Sequence, residues 1–192
     1  MEDLTPNLIQ HMELVFGEIQ GGFTVPSELP TTPGVQYVEY KNGSVRNVTV
    51  ISTLGLSRFE LASSTSDKKI RQELFLMVKD GQPSGTTPAV LHQIVNERLH
   101  SNRAILRGEA LRKTGCPFPQ KDFVALYATL PIYYPTEMWT CQTDEGDVAL
   151  CWMFPIRDKE WRYLSEKGWS EFESLLDQAQ FDLFDLDRPS LV

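Results

Sequence analysis

The side chains able to do chemistry here are Ser57, three cysteines, three histidines and two acidic clusters, and their spacing decides what is open to them. Ser57 sits in Gly55-Leu56-Ser57-Arg58-Phe59, which begins like a nucleophile elbow. That sharp turn needs a second small residue where this chain has Phe59, so Ser57 reads as an ordinary turn serine. His92 and His100 fall on one predicted helix, eight residues apart, whereas a zinc-binding pair needs a spacing of four. They read as solvated helix histidines. His11 belongs to a different predicted helix. Cys116 precedes a proline in a loop, with no neighbouring histidine to make a thiolate of it. Asp144, Glu145 and Asp147 sit in a probable-turn composition, and Asp182, Asp185 and Asp187 in an exposed-looking tail. Neither cluster has the long oxygen-rich loop that calcium requires. No catalytic, metal or cofactor residue is therefore assigned.

The segment Pro155–Leu176 is dense in charge and aromatics, and helix chemistry accounts for it. Asp158 is placed to cap a helix, with Glu160 in its first turn. Gly168 ends that helix. Ser170 and Glu173 then have the spacing of a capping box for the next one. Phe172, Leu175, Leu176 and Ala179 supply its apolar face.

These elements belong to an α+β pattern. Pro6–Phe16 predicts a first helix capped by Thr5, with Leu8, Ile9, Met12, Val15 and Phe16 on one face. Gly21–Gly34, rich in proline and glycine, predicts a loop that wraps over a sheet edge. Two strands around Asn42-Gly43 predict a tight hairpin. Ile70–Asp80 predicts a strand, and its unbroken apolar centre, Leu74–Val78, predicts burial on both faces. A helix follows, with Val90, Leu91, Ile94, Val95 and Leu99 on its face. Ile105–Arg112 fits a short strand or a helical turn. Asp122–Leu130 predicts a strand stopped by Pro131. A hairpin around Glu145-Gly146 leads into the apolar strand Val148–Phe154. The whole reads as one domain, a mixed, mostly antiparallel twisted sheet with helices packed on it.

Bulk properties narrow the function. The 192 residues suit one domain, and three cysteines without CxxC spacing fit free thiols in a reducing compartment. No apolar run approaches the ~18 residues of a membrane span, and the acidic start is unlike a secretory signal. A cytoplasmic location is expected. The net charge is −8, and it belongs to the ends: residues 1–34 carry five acids and no base, residues 169–192 six acids and one base. Without a basic stripe a nucleic-acid partner is not expected. Acidic ends instead suit solubility, or attraction to a basic protein. The loop Leu130–Trp139 is the best candidate surface. Tyr133, Tyr134 and Trp139 are residue types that anchor protein interfaces, although each could equally be buried over the sheet.

Several stretches taken in order resemble the suppressor-of-fused domain. NVTVISTLGLSRF (47–59) and QELFLMVKD (72–80) resemble its front half, a strand ending in a T-x-G-x-S-like turn and a later strand with a glutamate before an apolar run. ILRGEALRK (105–113) and FVALYATLPIYYP (123–135) resemble its middle, with Arg107-Gly108-Glu109 as an RGE element. CWMFPIRDKEWRYLSEKGWSEFESLL (151–176) resembles its end: Phe154, Pro155, Ile156, then Glu160 four residues on. The matched order spans about 45–187. The resemblance implies a mixed sheet with helices, no enzyme activity and no cofactor. Animal members clamp a peptide of zinc-finger transcription factors between two domains, and this chain has room for one. Short bacterial members include proposed immunity proteins that neutralise a toxin. The expectation is a non-enzymatic protein-binding domain of this kind, with a basic toxin domain as its partner. The rivals are a hydrolase or transferase whose groups meet only in space, and a small-ligand sensor.

Overall fold

In the computed structural model, which describes residues 6–24, 34–82, 87–112, 118 and 121–192, the first element is α1 (Pro6–Phe16). Leu8, Met12, Val15 and Phe16 recur on one helical face and are buried. The chain then passes directly into β1 (Gly17–Thr24), which pairs antiparallel with β2 (Gln36–Asn42). The expected loop is corrected here: Gly21, Gly22, Phe23 and Thr24 pair with Glu39, Val38, Tyr37 and Gln36. Glycine disfavours strands, but a neighbouring strand offers its N–H and C=O to any backbone, and a bulge between Ile19 and Gly21 absorbs the irregularity. Residues 25–33 of that loop, like Thr5, lie outside the described residues.

β3 (Val48–Leu54) completes the predicted hairpin with β2, but Tyr40 and Val50 are its last pair. The connection is wider than a two-residue turn. Gly43 serves α1 instead: a Cβ there would lie 2.4 Å from the Phe16 carbonyl oxygen, so only glycine permits the approach. A short β4 (Leu61–Ala62) pairs with the start of β5 (Lys69–Lys79). Then follow α2 (Thr87–Ser101), β6 (Ala110–Arg112) and β7 (Phe123–Thr129). The ambiguous stretch 105–112 thus ends as a short edge strand. β8 (Thr140–Thr143) and β9 (Gly146–Arg157) form the predicted hairpin, followed by α3 (Asp158–Lys167) and α4 (Trp169–Gln178) on either side of Gly168.

The nine strands among the described residues make one sheet in the order β1-β2-β3-β5-β9-β7-β6, with β4 against β5 and β8 against β9. Every pairing is antiparallel except β5 with β9, so the sheet is mixed, as expected. Both faces are covered. Phe75 and Met77 of β5 join Trp152 and Phe154 of β9 under α1, α3 and α4. Leu74, Leu76 and Val78 point the other way and join Met153 under α2 and Leu56. This two-sided burial is what the apolar centre of β5 predicted.

Cys141 stands opposite Val148, and neither Cys141 nor Cys151 is in a disulfide. Cys116 lies outside the described residues. Among the described residues, no helix is long and apolar enough to cross a membrane.

Candidate protein-binding surface

Three carboxylates, Glu73, Glu160 and Glu173, tie together the elements beneath the surface. Glu73, on β5, is completely buried. The turn after β3 closes around it: Thr53 Oγ1 donates at 2.5 Å, and the backbone N–H groups of Gly55 and Ser57 at 2.9 and 3.0 Å. Burial pushes the Glu73 pKa above the ordinary carboxylate value, although the Thr53, Ser57 and Gly55 donors pull the other way. Ser57 is itself buried and positioned as part of this cage.

Glu160 was expected to be a first-turn acid on a helix capped by Asp158. The cap is Arg157, whose N–H donates to Glu160 Oε2 at 2.7 Å. Asp158 is the first helical residue, pairing instead with Arg162 at 2.8 Å. The Glu160 carboxylate also receives both Nη atoms of Arg188 and the N–H of Leu191. Arg188 Nη2 donates further to the Pro155 carbonyl at 2.9 Å. The tail expected to be exposed is therefore packed: Leu183, Phe184, Leu186 and Arg188 are buried. Asp185 bonds Lys79 at 2.8 Å and Gln82 at 2.6 Å, and the Lys79 bond is the largest cause pulling its pKa down to about 2.

Glu173 does not form the expected capping box with Ser170. Helix α4 starts two residues earlier, from a cap at Gly168, so Ser170 lies inside the helix. Glu173 instead reaches across to the sheet, accepting from Thr129 Oγ1 at 2.8 Å, Tyr127 Oη at 3.1 Å and Arg107 Nε at 3.1 Å. Burial opposes its charge, but the bonds from Arg107, Thr129 and Tyr127 outweigh it, and its pKa is lowered. Arg107 also lies over the Trp169 ring at 5.0 Å. Gly108, at φ +92°, sits under that ring, where a Cβ would come within 2.8 Å of it. Glu109 pairs with Arg98 at 3.2 Å.

The candidate anchors separate. Tyr134 is buried, its ring against Phe16 and Phe75. Trp139 is half-buried and donates its indole N–H to the Tyr134 carbonyl at 2.9 Å. Tyr133 is 42% exposed beside Ile132 at 40%, its ring 4.7 Å from Phe184 and 5.6 Å from Trp152. Burial, then Asp182 and Asp177, raise the Tyr133 pKa, which places both acids within electrostatic range of the ring. Trp169, Glu173 and Asp177 recur every fourth residue along α4, so they share one face. An aromatic and acidic strip thus runs from Trp169 and Arg107 to Tyr133. The helical spacing of those three α4 residues was available in the sequence; the partnership with Arg107 was not.

The histidines are held more than expected. His92 bonds Tyr37 Oη at 3.2 Å and Asn96 at 2.9 Å, and His11 bonds the Met138 carbonyl at 3.0 Å. His100 is exposed. Among the described residues, no three histidines, cysteines or acids cluster as a metal site.

The family model for suppressor of fused protein matches residues 31–189. The chain belongs to the suppressor of fused family. No curated protein is significantly similar to it in sequence. Among solved structures, it is similar to a suppressor of fused homologue from Neisseria gonorrhoeae, with 20% identity, a TM-score of 0.76, and 97% of this chain and 95% of that one covered. It is also similar to the chain in the Sufu–Fu complex, at 14% identity and TM-score 0.67, covering 96% and 90%. Drosophila Suppressor of Fused matches at 13% identity and TM-score 0.59, over 89% of this chain but 42% of that chain. These likenesses establish the fold. In this suppressor of fused chain, the T-x-G-x-S turn is the cage of Glu73, and Glu160, four residues after Ile156 of Phe154-Pro155-Ile156, is the partner of Arg188. Both motifs are explained by buried carboxylates that need donors.

Proposed function

We propose that this chain is a non-enzymatic, cytoplasmic protein-binding domain that acts as an immunity protein, neutralising a basic toxin domain. One observation carries the reading. Tyr133 and Ile132 stand half-exposed on a rigid floor of Trp152 and Phe184, with Asp177 and Asp182 in range. An aromatic anchor fixed by its neighbours loses little entropy on binding, and the acids favour a cationic partner. Tyr134 and Trp139 act from below, holding the loop that presents Tyr133. The net charge of −8 adds long-range attraction for a basic toxin. That a structural relative was solved as the Sufu–Fu complex supports protein recognition as a use of this fold. Strand addition offers a further contact, since β1 is an edge of the sheet and exposes Ile19 and Phe23.

The test is a pull-down from the source cells with candidate toxins expressed, comparing wild type with Tyr133→Ala and Asp182→Lys. A stoichiometric basic partner, lost with either variant, is the expected result. Recovery of no stoichiometric partner, or equal recovery by the variants, would count against the reading.

A further inference from the structure

A cavity of about 740 Å³ opens between the start of β7, the end of β9, the first turn of α3 and the tail. It lies away from the Tyr133 strip and involves none of its residues. Among the described residues its lining holds five cations, Arg112, Lys121, Arg157, Lys159 and Arg188, against two carboxylates, Asp122 and Asp158. Just outside the lining, Asp187 pairs with Lys121 and Glu160 with Arg188, which leaves an excess of one positive charge in a chain of net charge −8. Val124 and Pro189 give it an apolar floor, while Phe123 is buried beneath the guanidiniums of Arg157 and Arg188.

Both carboxylates are already committed. Asp122 pairs with Arg157, and Asp158 with Arg112 at 3.5 Å and Arg162 at 2.8 Å. Arg188 spends its Nη atoms on Glu160, Pro155 and Pro189. The exposed ammonium of Lys159 has no ion-pair partner among the described residues. Burial, and then the proximity of Arg188, lower the proton affinity of Arg157. Its guanidinium lies over the Phe123 ring at 4.6 Å. Cavities of ~300–1,000 Å³ with apolar walls and a few convergent polar groups are the usual form of small-ligand sites.

We propose that this cavity binds a small organic anion, its carboxylate or phosphate head between Lys159 and Arg112 and its apolar body on Val124 and Pro189. The net positive lining supplies attraction, and the apolar floor supplies burial. This site is independent of the protein-recognition reading.

Calorimetric titration of the full chain tests it, with phenyl phosphate as probe and benzyl alcohol and inorganic phosphate as controls. Phenyl phosphate should bind saturably at one site, more weakly as salt rises. Lys159→Ala and Arg112→Ala, both at exposed positions, should each weaken it about fivefold, while Lys41→Ala, remote from the cavity, should not. Melting curves confirm that the variants fold. Chemical-shift changes confined to Val124, Lys159 and their neighbours would locate the site. No saturable binding up to about 10 mM, equal binding of benzyl alcohol, or unchanged affinity in Lys159→Ala would overturn the assignment. Inorganic phosphate binding as tightly as phenyl phosphate would overturn the role of the apolar floor. Binding of an acidic peptide without any binding of phenyl phosphate would also overturn it.

Discussion

Arg188 lays its guanidinium fork against the carboxylate of Glu160, Nη1 to Oε1 at 2.6 Å and Nη2 to Oε2 at 2.9 Å, with side-chain exposures of 1% and 0%. A bidentate pair out of water is a strong local constraint, but its stability depends on both members being present. Arg188→Leu removes two donors and the compensating charge, and leaves the buried carboxylate with the N–H groups of Arg157 and Leu191. It should cost about 3–5 kcal/mol in urea unfolding. Arg188→Leu combined with Glu160→Met should recover much of that loss. A double variant no more stable than the single one would show that the pair is not the unit.

Glu73 predicts a pH dependence. Its folded pKa is raised, so the folded state holds the proton more tightly than the unfolded chain, whose value is about 4.3. The Glu73 contribution therefore weakens as pH rises from that unfolded value, and levels off above the folded value. Glu73→Gln removes this slope. Across that window the stability of Glu73→Gln minus wild type should rise with pH, measured by denaturant unfolding at each pH. A flat difference would mean that Glu73 titrates alike in both states.

Asp185 predicts the opposite sign. Its folded pKa is near 2, below the unfolded value of about 3.9, so its contribution is complete above that unfolded value and disappears as pH falls toward 2. Asp185→Asn should differ from wild type at pH 7 and converge with it at pH 2. The two carboxylates thus work against each other in acid, and the single variants separate them.

Glu173 and Arg107 form a pair of unequal members. Arg107 is half-exposed, while Glu173 also serves Tyr127 and Thr129. Arg107→Ala should cost under about 1 kcal/mol. Glu173→Ala, which leaves two buried hydroxyls without their acceptor, should cost about 1–3 kcal/mol. Both should change Trp169 fluorescence, because Arg107 lies over its ring. Equal costs would contradict the cross-sheet role of Glu173.

Tyr133 and Tyr134 are adjacent and should fail differently. Tyr134→Ala opens a cavity against Phe16 and Phe75 and should cost about 3–5 kcal/mol of stability. Tyr133→Ala should leave the melting temperature near wild type and cost about 2 kcal/mol in partner binding. A large melting shift in Tyr133→Ala would make it a core residue.

Sequence patterns were readable where one physical demand dominates. The run Leu74–Val78 has to be buried on both faces, and β5 lies in the middle of the sheet with helices on either side. Gly168 breaks α3 from α4 as its position suggested. Patterns misled where a residue had two uses. Glu173 has capping-box spacing from Ser170, yet Arg107 lies 66 residues away and no local rule can point to it. Asp182, Asp185 and Asp187 look like a solvated tail because their charges hide Leu183, Phe184 and Leu186, which alternate with them and go inward. In β1 the glycines carry no side-chain signal, and only the partner strand makes them extended. Tyr133 and Tyr134 are chemically the same residue, and only the path of the loop sends one outward.

The lone parallel seam sets the order in which the molecule can be assembled. β1, β2, β3 and β5 can zip as neighbours, and so can β7, β8 and β9, but Arg71 meets Val148 only across 77 intervening steps of chain. Closing so long a gap is entropically slow, and until it happens each half leaves one strand edge open to other chains. Refolding speed and the tendency to clump during it should therefore both be governed by the moment β9 docks on β5.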